Sequence, residues 1–295
     1  MNVKITRRRL GAVALAAAAL PRVALADGGT YAHPELLVSV SELKDKIWND
    51  EAAPAVLVDV RSQKKYDGGH IPGAILLDAN AVVAQESPVK GALRPQAEIE
   101  TLLGDLGIVP NRRVILYDDR GGFHAARMFW LLEYLGHQNV ALLNGGLKAW
   151  VADGGKLTSA ATEPIFARFT SAPMPRRFAS ADYIMAHRRD RDTIVIDVRP
   201  GKAFAKGHIP WAMNVPWSAN LDADGLFLSP EKLRAHFAEN GVTADKNVVI
   251  HCEVGLASSH SYVALRLLGY PQVRVYHRSW AEWGQDPALP KAGGV

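Results

Sequence analysis

The chain has 295 residues, 48% of them hydrophobic and 22% charged, which is ordinary globular material and enough for two domains with a core each. Its formal net charge of +4 owes several residues to the extreme N-terminus, and no Lys/Arg run interleaved with aromatics occurs in the body, which argues against a nucleic-acid partner. A single cysteine, Cys252, excludes an internal disulfide, so a free thiol must have another use.

Residues 1–26 read as an export signal: a basic front, an Ala/Leu-rich stretch to Leu20, and Ala24-Leu25-Ala26 as a cleavage pattern before Asp27. Thr6-Arg7-Arg8-Arg9-Leu10 resembles the twin-arginine signal, which implies a periplasmic location. The apolar part, Leu10 to Leu20, is too short to span a bilayer, so no stable membrane insertion is expected after cleavage.

The sequence then repeats itself. Ala55-Val56-Leu57-Val58-Asp59-Val60-Arg61 is answered by Thr193-Ile194-Val195-Ile196-Asp197-Val198-Arg199, and Gly69-His70-Ile71-Pro72 by Gly207-His208-Ile209-Pro210. Val114 to Asp118 matches Val248 to Cys252, and Gly145 to Trp150 is echoed by Arg278 to Trp283. A period this long indicates a duplicated domain rather than a solenoid, with copies at 38–153 and 179–288. Between them, 154–178 is rich in Gly, Ser, Thr, Ala and Pro and reads as a linker. Within each copy, short apolar strands alternate with helical stretches such as 95–106, 125–135 and 230–240. That order predicts an α/β fold, two domains each with a mostly parallel sheet and helices on both faces.

The second copy holds the chemistry. Val248-Val249-Ile250 predicts a buried strand ending at His251, and the spacing of Val263 with Leu267 predicts a helix that Ser258 and Ser259 can cap and Gly269 stops. Cys252 therefore lies between the carboxyl end of a strand and a helix N-terminus, where open α/β sheets place ligands and where a thiolate is stabilised by backbone N–H groups. A cysteine so placed is a nucleophile. In the first copy the matching residue is Asp118, which cannot carry sulfur, and Asp118, Asp119 and His124 have no diagnostic metal spacing. Arg127 reads as a buried ion-pair partner. Asp59, Arg61, His70 and His208 recur in active and inactive copies alike, which favours structural roles.

These ordered motifs resemble the rhodanese domain, and two copies with the cysteine only in the second resemble the tandem thiosulfate and 3-mercaptopyruvate sulfurtransferases. The resemblance implies that Cys252 takes a sulfane sulfur from a small donor as a persulfide and passes it to a thiol or cyanide acceptor, with no metal or organic cofactor. It places the loop residues Glu253, Val254, Gly255, Leu256, Ala257 and Ser258 around the sulfur and Asp197, Arg199 and Lys202 beside it as substrate-binding candidates. A periplasmic sulfur-carrier protein is a further candidate partner.

The chain departs from the family pattern in places that bear on the donor. Glu253 and Val254 stand where thiosulfate-type members carry basic residues and mercaptopyruvate-type members a Gly-Ser pair. Ala203, with Lys202 beside it, replaces an arginine that reaches the anionic donor, and Trp211 replaces a small residue and is expected to reshape a wall. A solvated carboxylate at the loop mouth repels an anionic donor by about 1 kcal/mol. A phosphatase or arsenate reductase of the same fold needs a loop-end arginine that is absent here, and the alternative to a sulfurtransferase is a sulfur-carrier or redox-sensing binding module with little turnover.

Overall fold

The computed structural model describes residues 29–47 and 55–294, so the export segment at 1–26 lies outside the described residues. The first domain places strands β1 (Leu37–Val38), β2 (Val56–Asp59), β3 (Ile75–Leu76), β4 (Val114–Tyr117) and β5 (Val140–Leu143) in one sheet, ordered β1-β5-β4-β2-β3. The second places β6 (Thr193–Asp197), β7 (Met213–Asn214), β8 (Asn247–His251) and β9 (Val273–Val275) in the order β7-β6-β8-β9. Every pairing is parallel.

The strands read as continuous apolar runs because both faces of each sheet are covered. Val56 and Val58 of β2 join one core cluster and Leu57 another, and in the second sheet Val248 and Ile250 part from Val249 in the same way. Helices complete the two layers. The first domain carries α1 (Val40–Glu42), α2 (Gln63–Asp67), α3 (Gln96–Asp105), α4 (Ala125–Tyr134) and α5 (Gly146–Ala152). The second carries α6 (Ala181–Ala186), α7 (Gly201–Lys206), α8 (Pro230–Glu239), α9 (Leu256–Leu267) and α10 (Ser279–Trp283).

One apolar cluster runs through both domains, from Phe129 and Leu132 of α4 to Val263 and Leu267 of α9, so the two copies share a core. Each large apolar side chain fully buried there contributes about 1.5–3 kcal/mol. At the same interface Tyr262 donates to Glu133, and Arg266 holds that carboxylate through Nε at 3.1 Å and Nη2 at 3.0 Å. These bonds and ion pairs keep Glu133 below the usual carboxylate range although burial works the other way. The segment after α5 is extended but docked: Ala167 N–H donates to Gly104, Ala172 N–H to Leu135, and Phe169 is buried.

The repeated motifs brace the strand ends. Arg61 grips Asp59 and donates to the Gly69 carbonyl at 2.8 Å, and Arg199 does the same with Asp197 and the Gly207 carbonyl at 2.6 Å. His70 stacks on Tyr66 and bonds its carbonyl, and His208 repeats this on Phe204, which fixes the turn before Ile-Pro in both copies. No helix among the described residues is long and apolar enough to cross a membrane.

Candidate active site

Cys252 follows β8 directly, and β6 pairs with β8 so that Asp197 lies beside His251. The thiol is buried at 2% exposure. Its Sγ accepts the Gly255 N–H at 3.2 Å, lies 3.5 Å from Ser258 Oγ, and lies 3.9 Å from Ser279 Oγ. The expectation that Ser258 and Ser259 cap the helix needs correction. Gly255 is the N-cap at φ 86°, and α9 begins at Leu256, so both serines lie inside the helix. A Cβ on Gly255 would meet the His277 carbonyl at 2.5 Å, so that turn is open only to glycine. The earlier start puts the N-cap N–H of Gly255 on the sulfur, at the end of the helix whose first N–H groups have no intrahelical acceptor. Ser258, buried, faces the thiol, while Ser259 Oγ donates to the Gly255 carbonyl at 2.7 Å.

The remaining loop residues divide by direction. Glu253 points to solvent, 58% exposed, and its Oε2 lies 3.3 Å from Arg199 Nη1. Arg199 also stacks 4.7 Å over the Trp280 ring, so of the second-domain pair Arg199 touches the loop while Asp197 holds Arg199. Val254 turns its carbonyl toward the first domain, and Leu256 and Ala257 open the helix. Lys202 is exposed on α7 and makes no hydrogen bond to the loop, so the structure does not bring it into the site. Trp211 packs edge-on against Trp283, ring centres 6.0 Å apart, rather than against the Cys252 loop. Burial pushes the pKa of His251, the last residue of β8, down although Asp197 at 3.6 Å pulls it up.

Four residues that sequence reasoning left out complete the site. Ser279 stands at φ 54°, where its Oγ accepts the Cys252 N–H at 3.0 Å and donates to the Tyr276 carbonyl at 2.7 Å. The repeat held the signal for it, because the matching residue is Gly146 at φ 57°. Trp280 N–H donates to the Cys252 carbonyl at 3.0 Å. From the first domain, Arg127 donates to the carbonyls of Val254 at 3.1 Å and Gly91 at 2.5 Å. Gly91, at φ 78°, lies so close that a Cβ there would meet the Val254 carbonyl at 2.7 Å. The reading of Arg127 as an ion-pair partner is therefore wrong: no carboxylate among the described residues pairs with it, and its Nε has no hydrogen-bond partner among them.

The matching loop of the first domain is filled by its own side chain. Asp118 accepts the N–H groups of Arg120, Gly122, His124 and Ala125 at 2.6–3.1 Å. Asp119 pairs with Lys65 through Oδ2 at 2.6 Å.

The rhodanese-like domain model matches residues 39–153 and 180–286, most of the chain and both copies. The chain belongs to the rhodanese family. Its relatives include a thiosulfate sulfurtransferase of Pseudomonas aeruginosa, 34% identical over 272 residues that cover 86% of this chain and 96% of the relative. A 3-mercaptopyruvate sulfurtransferase of Escherichia coli is 31% identical over 77% of this chain and 84% of its own, and the sulfur carrier protein TtuD of Thermus thermophilus is 35% identical over 90% and 99%. Among solved structures, the anaerobic ergothioneine biosynthesis enzyme of Chlorobium limicola superposes with a TM-score of 0.82 over 90% of this chain and 72% of its own, at 21% identity, and shares the fold. This rhodanese is a sulfurtransferase.

Proposed function

We propose that Cys252 carries the transferred sulfur as a persulfide. The observation that carries this reading is the pair of loops: the first domain's is filled by the Asp118 carboxylate, and the second sets a thiol at the matching point, with the Gly255 N–H and two serine hydroxyls around it. In the first half-reaction the Cys252 thiolate attacks the outer sulfur of the donor. An Sγ–S bond forms, the donor's bond to that sulfur breaks, and the leaving group departs with the bonding pair, as sulfite when thiosulfate is the donor. In the second, cyanide or a thiol attacks the terminal sulfur, the Sγ–S bond breaks, and the thiolate is regenerated. The Gly255 N–H, the Ser258 and Ser279 hydroxyls and the first turn of α9 stabilise the anionic sulfur in both states.

Thiosulfate and 3-mercaptopyruvate are the donor classes that the relatives' names supply. Glu253 works against either anion. Its carboxylate occupies the Nη1 side of Arg199 at the loop mouth, where an anionic group would otherwise dock. A second reading, a sulfur carrier that hands its persulfide to a partner protein, is favoured by the burial of Cys252 and by the carrier named among the relatives. Periplasmic location is part of the proposal and rests on Arg7, Arg8 and Arg9 and the Ala24-Leu25-Ala26 pattern.

Mass spectrometry of the protein after exposure to thiosulfate or 3-mercaptopyruvate tests the persulfide, with one added sulfur expected on Cys252. Retention of sulfur transfer in Cys252→Ser overturns it. Steady-state rates with cyanide and with small thiols separate the two readings: persulfide formation without turnover supports the carrier.

A further inference from the structure

A buried guanidinium is costly unless paired, and the other buried arginines near this interface have carboxylates: Asp197 for Arg199, Glu133 for Arg177 and Arg266. Arg127, 2% exposed on α4, has carbonyl dipoles only. Burial pulls its pKa down to about 10, and the one charge acting in the opposite direction is the thiolate of Cys252. Its field also reaches the other side, where burial, then Arg127 and Arg278, push His277 down to about 3.

The geometry explains what this charge is for. The peptide between Val254 and Gly255 is planar and trans, so its C=O and N–H point in opposite directions. Arg127 Nη1 holds the C=O side at 3.1 Å, and Cys252 Sγ receives the N–H side at 3.2 Å. The same guanidinium holds Gly91, whose close packing on Val254 leaves the first-domain segment no room for a side chain. Hydrogen bonds in series polarise one another, so a cation on the carbonyl strengthens the donor on the far side.

We propose that Arg127 is a positioning residue contributed by the sulfur-free domain: it orients and polarises the Val254–Gly255 amide toward Cys252 and supplies the positive charge that favours anionic sulfur there. This rests on the reading of Cys252 as the sulfur-bearing nucleophile. It also gives the first domain a part in the chemistry.

The test uses full-length Arg127→Gln, Arg127→Met and Arg127→Lys. Gln keeps a donor for one carbonyl without the charge, Met removes both, and Lys keeps the charge. The rate of Cys252 alkylation by iodoacetamide is followed against pH, beside kcat and KM for sulfur transfer and thermal melting. The pH midpoint is expected to rise by about one unit in Gln and Met, with kcat down about tenfold and KM little changed. In Lys the midpoint is expected to stay within about half a unit of the parent. A midpoint unmoved in folded Gln or Met, whatever the change in melting temperature, makes Arg127 merely structural and overturns the proposal. Should neither fold, a midpoint in Lys raised by a full unit overturns the assignment of charge. The readout requires only a reactive thiol, so it stays interpretable even if Cys252→Ser remains active and the persulfide reading fails.

Discussion

Asp118 and Cys252 stand at the same point of two copies of one fold, each immediately after a central strand and before a helix, yet the two loops use their amides differently. Four backbone N–H groups converge on the Asp118 carboxylate at 2.6–3.1 Å, while the Cys252 sulfur accepts the Gly255 N–H at 3.2 Å and lies near the Ser258 and Ser279 hydroxyls. The first loop is filled by its own carboxylate and so is a structural bolt. The second presents a thiol at the same point, as the proposed sulfur carrier requires. A second contrast accompanies it. Gly146 takes its positive φ without strain, with Leu147 N–H on the Asp118 carbonyl, whereas Ser279 takes almost the same φ as a non-glycine residue, with Trp280 N–H on the Cys252 carbonyl. Strain is tolerated in the copy where the hydroxyl has a sulfur to serve.

The largest effect expected from breaking this comparison is on stability. Asp118→Ala leaves four N–H groups, two of them buried, without their acceptor and is expected to cost about 3 kcal/mol, a fall in Tm of roughly 6–12 °C. Cys252→Ala, at the matching position, is expected to cost within about 1 kcal/mol while abolishing sulfur transfer. Melting curves of the two variants check this, and equal losses would show that the second loop is as much a bolt as the first.

Ser279 offers an intermediate test. Ser279→Ala keeps the strained φ but removes the acceptor of the Cys252 N–H, with an expected cost of about 1–2 kcal/mol. Ser279→Gly also loses the hydroxyl but relieves the backbone, and is expected to be more stable than Ser279→Ala by about 1 kcal/mol. Chemical denaturation of both reads the difference. An alanine variant as stable as the glycine one would remove the case for strain.

The smallest effect concerns the acidic residue that follows each position. Glu253 pairs with Arg199 at the loop mouth and Asp119 with Lys65 in the first domain. Glu253→Gln is expected to raise kcat/KM for thiosulfate about fivefold at low salt, with the gain shrinking as ionic strength rises, because the Glu253 carboxylate is exposed and screened. Asp119→Asn is expected to leave that rate unchanged. A gain that ignores salt would point instead to a changed loop shape.

The amino-acid sequence by itself determined the duplication, the parallel α/β class, the strand leading to Cys252 and the family, because hydrophobic periodicity, repeated motifs and turn residues are local signals. The structural roles of Asp59 with Arg61 and of His70 and His208 were legible for the same reason, since each has its bracing partners within ten residues of itself, although His70 also bonds the Ala160 carbonyl. The helix start was misplaced because Ser258 and Ser259 carry good capping side chains, while the true cap at Gly255 is set by the His277 carbonyl from a distant strand end. Lys202 makes no hydrogen bond to the loop, and neighbourhood in sequence says nothing of which way a helix turns its face. Arg127 was misread for a deeper reason. A buried arginine predicts a carboxylate from energetics alone, but its partner here is a carbonyl 127 residues away, brought into reach only when α4 and α9 pack across the shared core. Long-range contacts of that kind leave no period in the chain, so the closing of one domain over the other's sulfur was decided by the tertiary structure.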